Sequence, residues 1–136
     1  MSKQKSSVHH ASGKRKCAIA RVTLSAGTGK VTVNHTSLNQ YGNDLTRARI
    51  MEPLILAGEE AKKFDVLVRV QGGGSAGQAD AARLAIGRAL VLSNPNLKQV
   101  LLDYDRQLLV ADIRRKESAK PNSHGQARAK VQKSYR

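Results

Sequence analysis

FDVLVRVQGGGSAGQADAARLAIGRALVL, residues 64–92, is the stretch whose reading decides the fold. It opens as a strand, because Phe64, Val66, Val68 and Val70 alternate with Asp65, Leu67 and Arg69 at the period of two that gives a pleated strand one apolar face. It closes as a helix: Gln78 to Leu92 is rich in Ala and Leu and has no Pro. Leu84 and Val91 recur at helical spacing, as do Ala82, Ile86, Ala89 and Leu90. Between the two lie Gly72, Gly73, Gly74 and Gly77, residues that reach positive φ and admit a close backbone or a phosphate.

Two readings compete for that turn. It is either an anion site at a helix start, for a phosphate of RNA or of a nucleotide, or a tight strand-to-helix corner, with Ala81, Ala82, Ala85 and Gly87 letting the helix sit close on a sheet. The local pattern favours the corner, since glycine-rich turns are common. No Gly-Lys-Ser/Thr follows, so this is not a Walker A loop. Gly72, Gly74 and Gly77 do satisfy G-x-G-x-x-G, but no strand with an acidic end follows at the interval a dinucleotide site needs.

Working outward, charge divides the 136 residues into three parts within a formal total of +14. Met1 to Arg21 carries six basic residues and no acid, and residues 113–136 carry eight basic residues and one acid. The middle, with ten basic and nine acidic residues, is nearly neutral. A neutral body with two polycationic ends looks for a polyanion. A membrane surface would want an apolar face beside the cations, which the C-terminal stretch lacks, so nucleic acid remains. Aromatics are few (Tyr41, Phe64, Tyr104, Tyr135), which favours contact with phosphates and folded RNA over stacking on unpaired bases.

Cys17 is the only cysteine, so an internal disulfide is excluded and a reducing compartment fits; its apolar setting reads as strand. His9, His10, His35 and His124 lack zinc-ligand spacing, and no metal or cofactor is expected. No apolar run has the length of a membrane-spanning helix.

In chain order, residues 1–13 read as a flexible basic extension, 14–112 as a globular α+β body, and 113–136 as an extended basic tail. Cys17 to Leu24 is a strand, Ser25 to Gly29 a hairpin loop, and Lys30 to Val33 the partner strand, closed by Asn34 and His35. Asp44 caps a helix through Met51, and Pro53 starts a second one ending at Ala61. Leu97 to Tyr104 is a helix with Leu97, Val100, Leu101 and Tyr104 on one face, and Gln107 to Ile113 a short strand. Fully extended, the tail spans roughly 80 Å, and its basic character suits threading between RNA helices and ordering there.

Six segments carry a resemblance: GKRKCAIARV from Gly13, GTGKVTVN from Gly27, ARIMEPLILAGEE from Ala48, VQGGGSAGQADAARLAIGRAL from Val70, YDRQLLVADIRRKES from Tyr104, and the terminal QKSYR. In order, they resemble the universal family of small-subunit ribosomal protein nine, in its archaeal and eukaryotic branch. The resemblance implies a non-enzymatic ribosomal protein of the cytoplasm. Its fold would be a four-stranded sheet backed by helices, like the second domain of small-subunit ribosomal protein five. It implies binding of small-subunit ribosomal RNA in the subunit head, beside neighbouring ribosomal proteins. Lys14, Arg15, Lys16 and Arg21 would clamp RNA from the body, with Gly72, Gly73, Gly74, Gly77, Gln78 and Arg83 at the glycine turn and its helix. Arg114, Arg115, Lys116, Lys120, Arg128 and Lys130 would line the tail. Lys133, Ser134, Tyr135 and Arg136 would reach the tRNA of the peptidyl site. Cys17 stands where the family usually has Thr, and Ile113 where a Pro usually follows the Asp.

Two other function classes are open to the same residues. An enzyme would bind nucleotide at the glycine turn, but no Lys follows the glycines and no acid pair is placed for a metal. A free nucleic-acid chaperone explains the basic ends but not six ordered segments.

Overall fold

The computed structural model describes residues 7–122 and Tyr135. Five strands form one mixed sheet: β1 (His9–Arg15), β2 (Ala18–Ala26), β3 (Val31–Val33), β4 (Thr36–Ser37) and β5 (Phe64–Gln71), in the order β1-β2-β5-β3-β4. Three helices accompany it: α1 (Asp44–Ala57), α2 (Ser75–Ser93) and α3 (Leu97–Tyr104). The α+β class stands, while the expected four strands become five.

The alternation in β2 and β5 translates directly into packing. Ala18, Ala20, Val22 and Leu24 are buried on one face of β2, and Val66, Val68 and Val70 on the same face of β5. Over this face lies α2, which buries Ala81, Ala82, Ala85, Ile86, Ala89 and Leu90. Its small residues let it come close. Gly13 of β1 is buried against it, where a Cβ would stand 2.4 Å from the Ala81 carbonyl oxygen.

The expected hairpin between β2 and β3 does not form. Instead β5 lies between them, antiparallel to β2 and parallel to β3. The loop between β2 and β3 therefore arches over the start of β5. There Asp65 accepts hydrogen bonds from the Thr28 and Lys30 backbone N–H groups at 2.9 and 3.1 Å, and Gly27 N–H donates to the Lys63 carbonyl. The hairpin lies one connection later: β3 and β4 pair across Asn34 and His35, whose φ values of 48° and 65° suit a tight turn matched to strand twist. The Asn34 side chain extends the ladder, accepting from Val70 N–H and donating to the Val70 carbonyl.

Other expectations shift. His9 to Gly13, read as part of a flexible extension, belong to β1. Cys17 sits in the β1–β2 turn and is exposed, not in a strand. Pro53 does not divide two helices; it is buried inside α1, where Ile50, Leu54 and Ala57 pack with it and outweigh the missing backbone bond. Asn43, not Asp44, caps that helix, in a reciprocal capping box with Thr46. Gly58, at φ 58°, closes it, and a 3₁₀ segment replaces the stretch up to Ala61. On α3, Leu97 and Leu101 are buried but Val100 and Tyr104 are exposed. Residues 107–113 form no strand. Asp105 accepts the Gln107 N–H to start a 3₁₀ turn, Arg106–Leu108, which seats Leu108 in the core beside Gly87.

Candidate nucleic-acid interface

The glycine turn is a corner first. Gly72 and Gly73 have φ of 76° and 63°, and a Cβ on Gly72 would lie 2.6 Å from the Cys17 carbonyl oxygen. On Gly73 it would lie 3.0 Å from the Ala18 nitrogen. The two glycines thus pack the end of β5 onto the β1–β2 turn. A Cβ on Gly77 would meet Arg15 and Ala18, the residues flanking that turn, at ordinary contact distance, while one on Gly74 would face open space. Gly74 is the N-cap of α2 and has no side chain to cap it, so the first N–H groups of that helix have no side-chain acceptor. Gln78 braces the corner, donating to the Gly72 carbonyl at 3.0 Å and accepting from the Tyr41 hydroxyl at 3.2 Å. Burial raises the pKa of that tyrosine.

Beside the corner lies a cleft in which cations and acids are paired. Arg15 sits 2.7 Å from Asp112 and 3.8 Å from Asp80, which also accepts from Arg49 at 2.7 Å. Arg83 bridges Glu52 of α1 at 2.5 Å and Asp105 after α3 at 2.9 Å. Its desolvation is outweighed by these bonds, and its pKa rises. Arg114 folds back on Asp112 at 2.7 Å, and its side-chain and backbone N–H bonds hold that carboxyl far below the usual carboxylate range. Arg88 donates to the carbonyls of Leu109 and Ser12, clamping α2 to β1 and to the chain after the 3₁₀ turn.

The predicted RNA residues therefore fall into groups. Arg15, Arg83 and Arg114 are engaged with acids of the chain itself. Lys14, Lys16, Arg21, Arg115 and Lys116 are exposed and make no ion pair among the described residues. Lys120 is exposed on the tail. Tyr135 is exposed, and Arg128, Lys130, Lys133, Ser134 and Arg136 lie outside the described residues.

Sequence reading missed Arg69. It is exposed on the face of the sheet away from the helices, directly opposite Arg21 in the β2–β5 register. The alternation around Val68 and Val70 already turned it outward. Its partner strand was not readable, because residues 21 and 69 meet through a non-local pairing.

Among the described residues, no group of three or more His, Cys, Asp or Glu is placed to hold a metal ion, and no helix is long and apolar enough to cross a membrane.

Comparison with known proteins matches residues 13–136 to the family described as ribosomal protein S9/S16. The chain is similar to the small ribosomal subunit protein uS9 of Thermoplasma volcanium, with 48% identity over 126 residues, covering 91% of this chain and 95% of the relative. It is likewise similar to the protein of that name from Methanococcus vannielii, with 46% identity over 132 residues, covering 95% and 98%.

Proposed function

Because the chain belongs to the ribosomal protein S9/S16 family, we propose that it works as a structural constituent of the small ribosomal subunit, binding ribosomal RNA in the subunit head beside neighbouring ribosomal proteins. It is a ribosomal protein and not an enzyme. The observation that carries the reading is the extent of the family match: it begins at Gly13 and runs through the basic tail to Arg136, so the tail is part of what the family shares. A polycationic arm on a nearly neutral body serves RNA phosphates, whose condensed counterions it displaces.

Within this reading the body presents Lys14, Lys16 and Arg21 to RNA, and Arg114, Arg115, Lys116, Lys120, Arg128 and Lys130 line the tail. Lys133, Ser134, Tyr135 and Arg136 end it near the peptidyl site, where the cations meet the tRNA backbone. The uncapped start of α2 at Gly74 supports a backbone contact with RNA there. Gly72 and Gly73 do not bind by their own openness, because the β1–β2 turn occupies the space beside them. Arg15 and Arg83 act mainly by shaping the body, through Asp112, Asp80, Glu52 and Asp105. The protein works in the cytoplasm, on the ribosome.

Sedimentation of cell extract through a gradient at low and raised salt tests this. The protein is expected to travel with the small subunit and to leave it only when salt strips many phosphate contacts together. A protein that stays at the top of the gradient at low salt overturns the reading. Removal of residues 133–136 is expected to weaken tRNA retention at the peptidyl site while leaving the protein on the subunit.

A further inference from the structure

All three helices lie on one side of the sheet, so the composition of the other side follows from register alone. One row across β1, β2 and β5 contains Ser12, Arg21 and Arg69. The next contains Lys14, Ile19 and Gln71, and the one before it His10, Thr23 and Leu67. Arg21 and Arg69 are directly opposite in adjacent antiparallel strands, an arrangement in which like charges repel and destabilise the pair. Both are exposed, and neither makes a hydrogen bond or ion pair among the described residues.

Elsewhere among the described residues Arg106 and Arg115 also lack an ion pair, but neither is set directly across a strand pair from another arginine. Arg15, Arg47, Arg49, Arg83 and Arg114 are each joined to a carboxylate. The five strands contain one acid, Asp65, which lies at the start of β5 two rows from Arg69 and is committed to the N–H groups of Thr28 and Lys30. A repelling pair with no acid in its own row or in either neighbouring row is what an external anion would relieve. The face holds no Phe, Tyr or Trp at these positions, so it is not a platform for stacking bases.

We propose that the helix-free face of the sheet takes the sugar-phosphate backbone of folded ribosomal RNA, with phosphate charge placed between Arg21 and Arg69 and Lys14 extending the track toward the β1–β2 turn. The inference rests on the ribosomal reading above and assigns it a surface.

The test is binding of the full chain to protein-free small-subunit ribosomal RNA across a salt series, with Arg21→Ala/Arg69→Ala and Arg21→Lys/Arg69→Lys beside it. The alanine pair is expected to reduce the slope of log affinity against log salt by about 1.8, with the lysine pair retaining most of it. Thermal unfolding is expected to show the alanine pair at least as stable as the parent, since a repulsion is removed. In assembled subunits both arginines are expected to resist an arginine-modifying dicarbonyl that labels them in the free protein. An unchanged salt slope in the alanine pair, while the parent binds, overturns the surface and leaves the ribosomal reading intact. Protection that survives ribonuclease treatment also overturns it, in favour of a protein occupant. A parent chain that fails to bind the RNA overturns both.

Discussion

Gly13 of β1 and Ala81 of α2 meet so closely that a Cβ on Gly13 would stand 2.4 Å from the Ala81 carbonyl oxygen and 2.8 Å from the Ala85 nitrogen. Both obstacles are backbone, which no rotamer change relieves. Gly13→Ala must push α2 away from the sheet, and overpacking of this kind costs about 1–3 kcal/mol or more. Chemical denaturation is expected to show that loss, together with reduced recovery of folded protein. A variant as stable as the parent would mean that helix and strand are not in this contact.

The four glycines of the turn are not equivalent. Gly72→Ala combines a φ of 76° with a Cβ 2.6 Å from the Cys17 carbonyl oxygen, and about 1–3 kcal/mol of destabilisation is expected. Gly74→Ala has φ −101° and open space, so the poorer N-cap is offset by the lower conformational entropy of the unfolded chain and the net change is expected to stay within about 0.5 kcal/mol. Urea midpoints of the two variants separate a packing corner from a turn of uniform flexibility.

What was legible in the sequence follows the same division between local and non-local information. The period of two in β2 and β5 and the apolar spacing of α2 are local, and they identified all three elements and the buried face. The glycines between them identified the corner. Pairing is not local. Ser25 to Gly29 has the composition of a hairpin loop, yet the same residues bridge two strands with β5 inserted between them, held by Asp65 from the start of β5. His9 to Gly13 lacks an apolar alternation because Gly13 and Ala11 face a helix that comes too close for larger side chains. Composition alone therefore reads the segment as unstructured. For the candidate interface, the cations were visible but their acid partners were not. Arg83 and Arg114 could be separated from Lys14 and Arg21 only once Glu52, Asp105 and Asp112 were in place.

Arg83 offers the clearest separation of structure from binding. Its side chain is 13% exposed and joins α2 to Glu52 on α1 and to Asp105 after α3. Arg83→Met removes the cation and leaves Glu52 and Asp105, each about a third exposed, without their shared partner. A cost of about 1–2 kcal/mol is expected, below that of a fully buried pair because water reaches the acids. Affinity for ribosomal RNA, measured under conditions where the variant is folded, is expected to fall less than twofold. A large loss of affinity with unchanged stability would instead make Arg83 a direct RNA contact.

The acid side of the stability profile is set by carboxylates whose pKa values lie below the unfolded range. Hydrogen bonds from the Thr28 and Lys30 backbone hold Asp65 down, and the Arg114 side chain and backbone do the same for Asp112. Burial works against Asp105, but the Gln107 N–H and Arg83 leave it depressed as well. A carboxylate with a lowered folded-state pKa contributes stability that is fully present above its unfolded value of about 3.9 and is lost as pH falls toward the folded one. Urea midpoints are therefore expected to hold steady between pH 7 and pH 5 and to decline below about pH 4. Asp65→Asn keeps an acceptor oxygen but loses the charge that the loop N–H groups favour. Its midpoint is expected to lie below the parent's at neutral pH, with the gap closing in acid as the parent's Asp65 takes up its proton. A gap that stays constant with pH would show that Asp65 holds the β2–β3 loop by shape alone, without its charge.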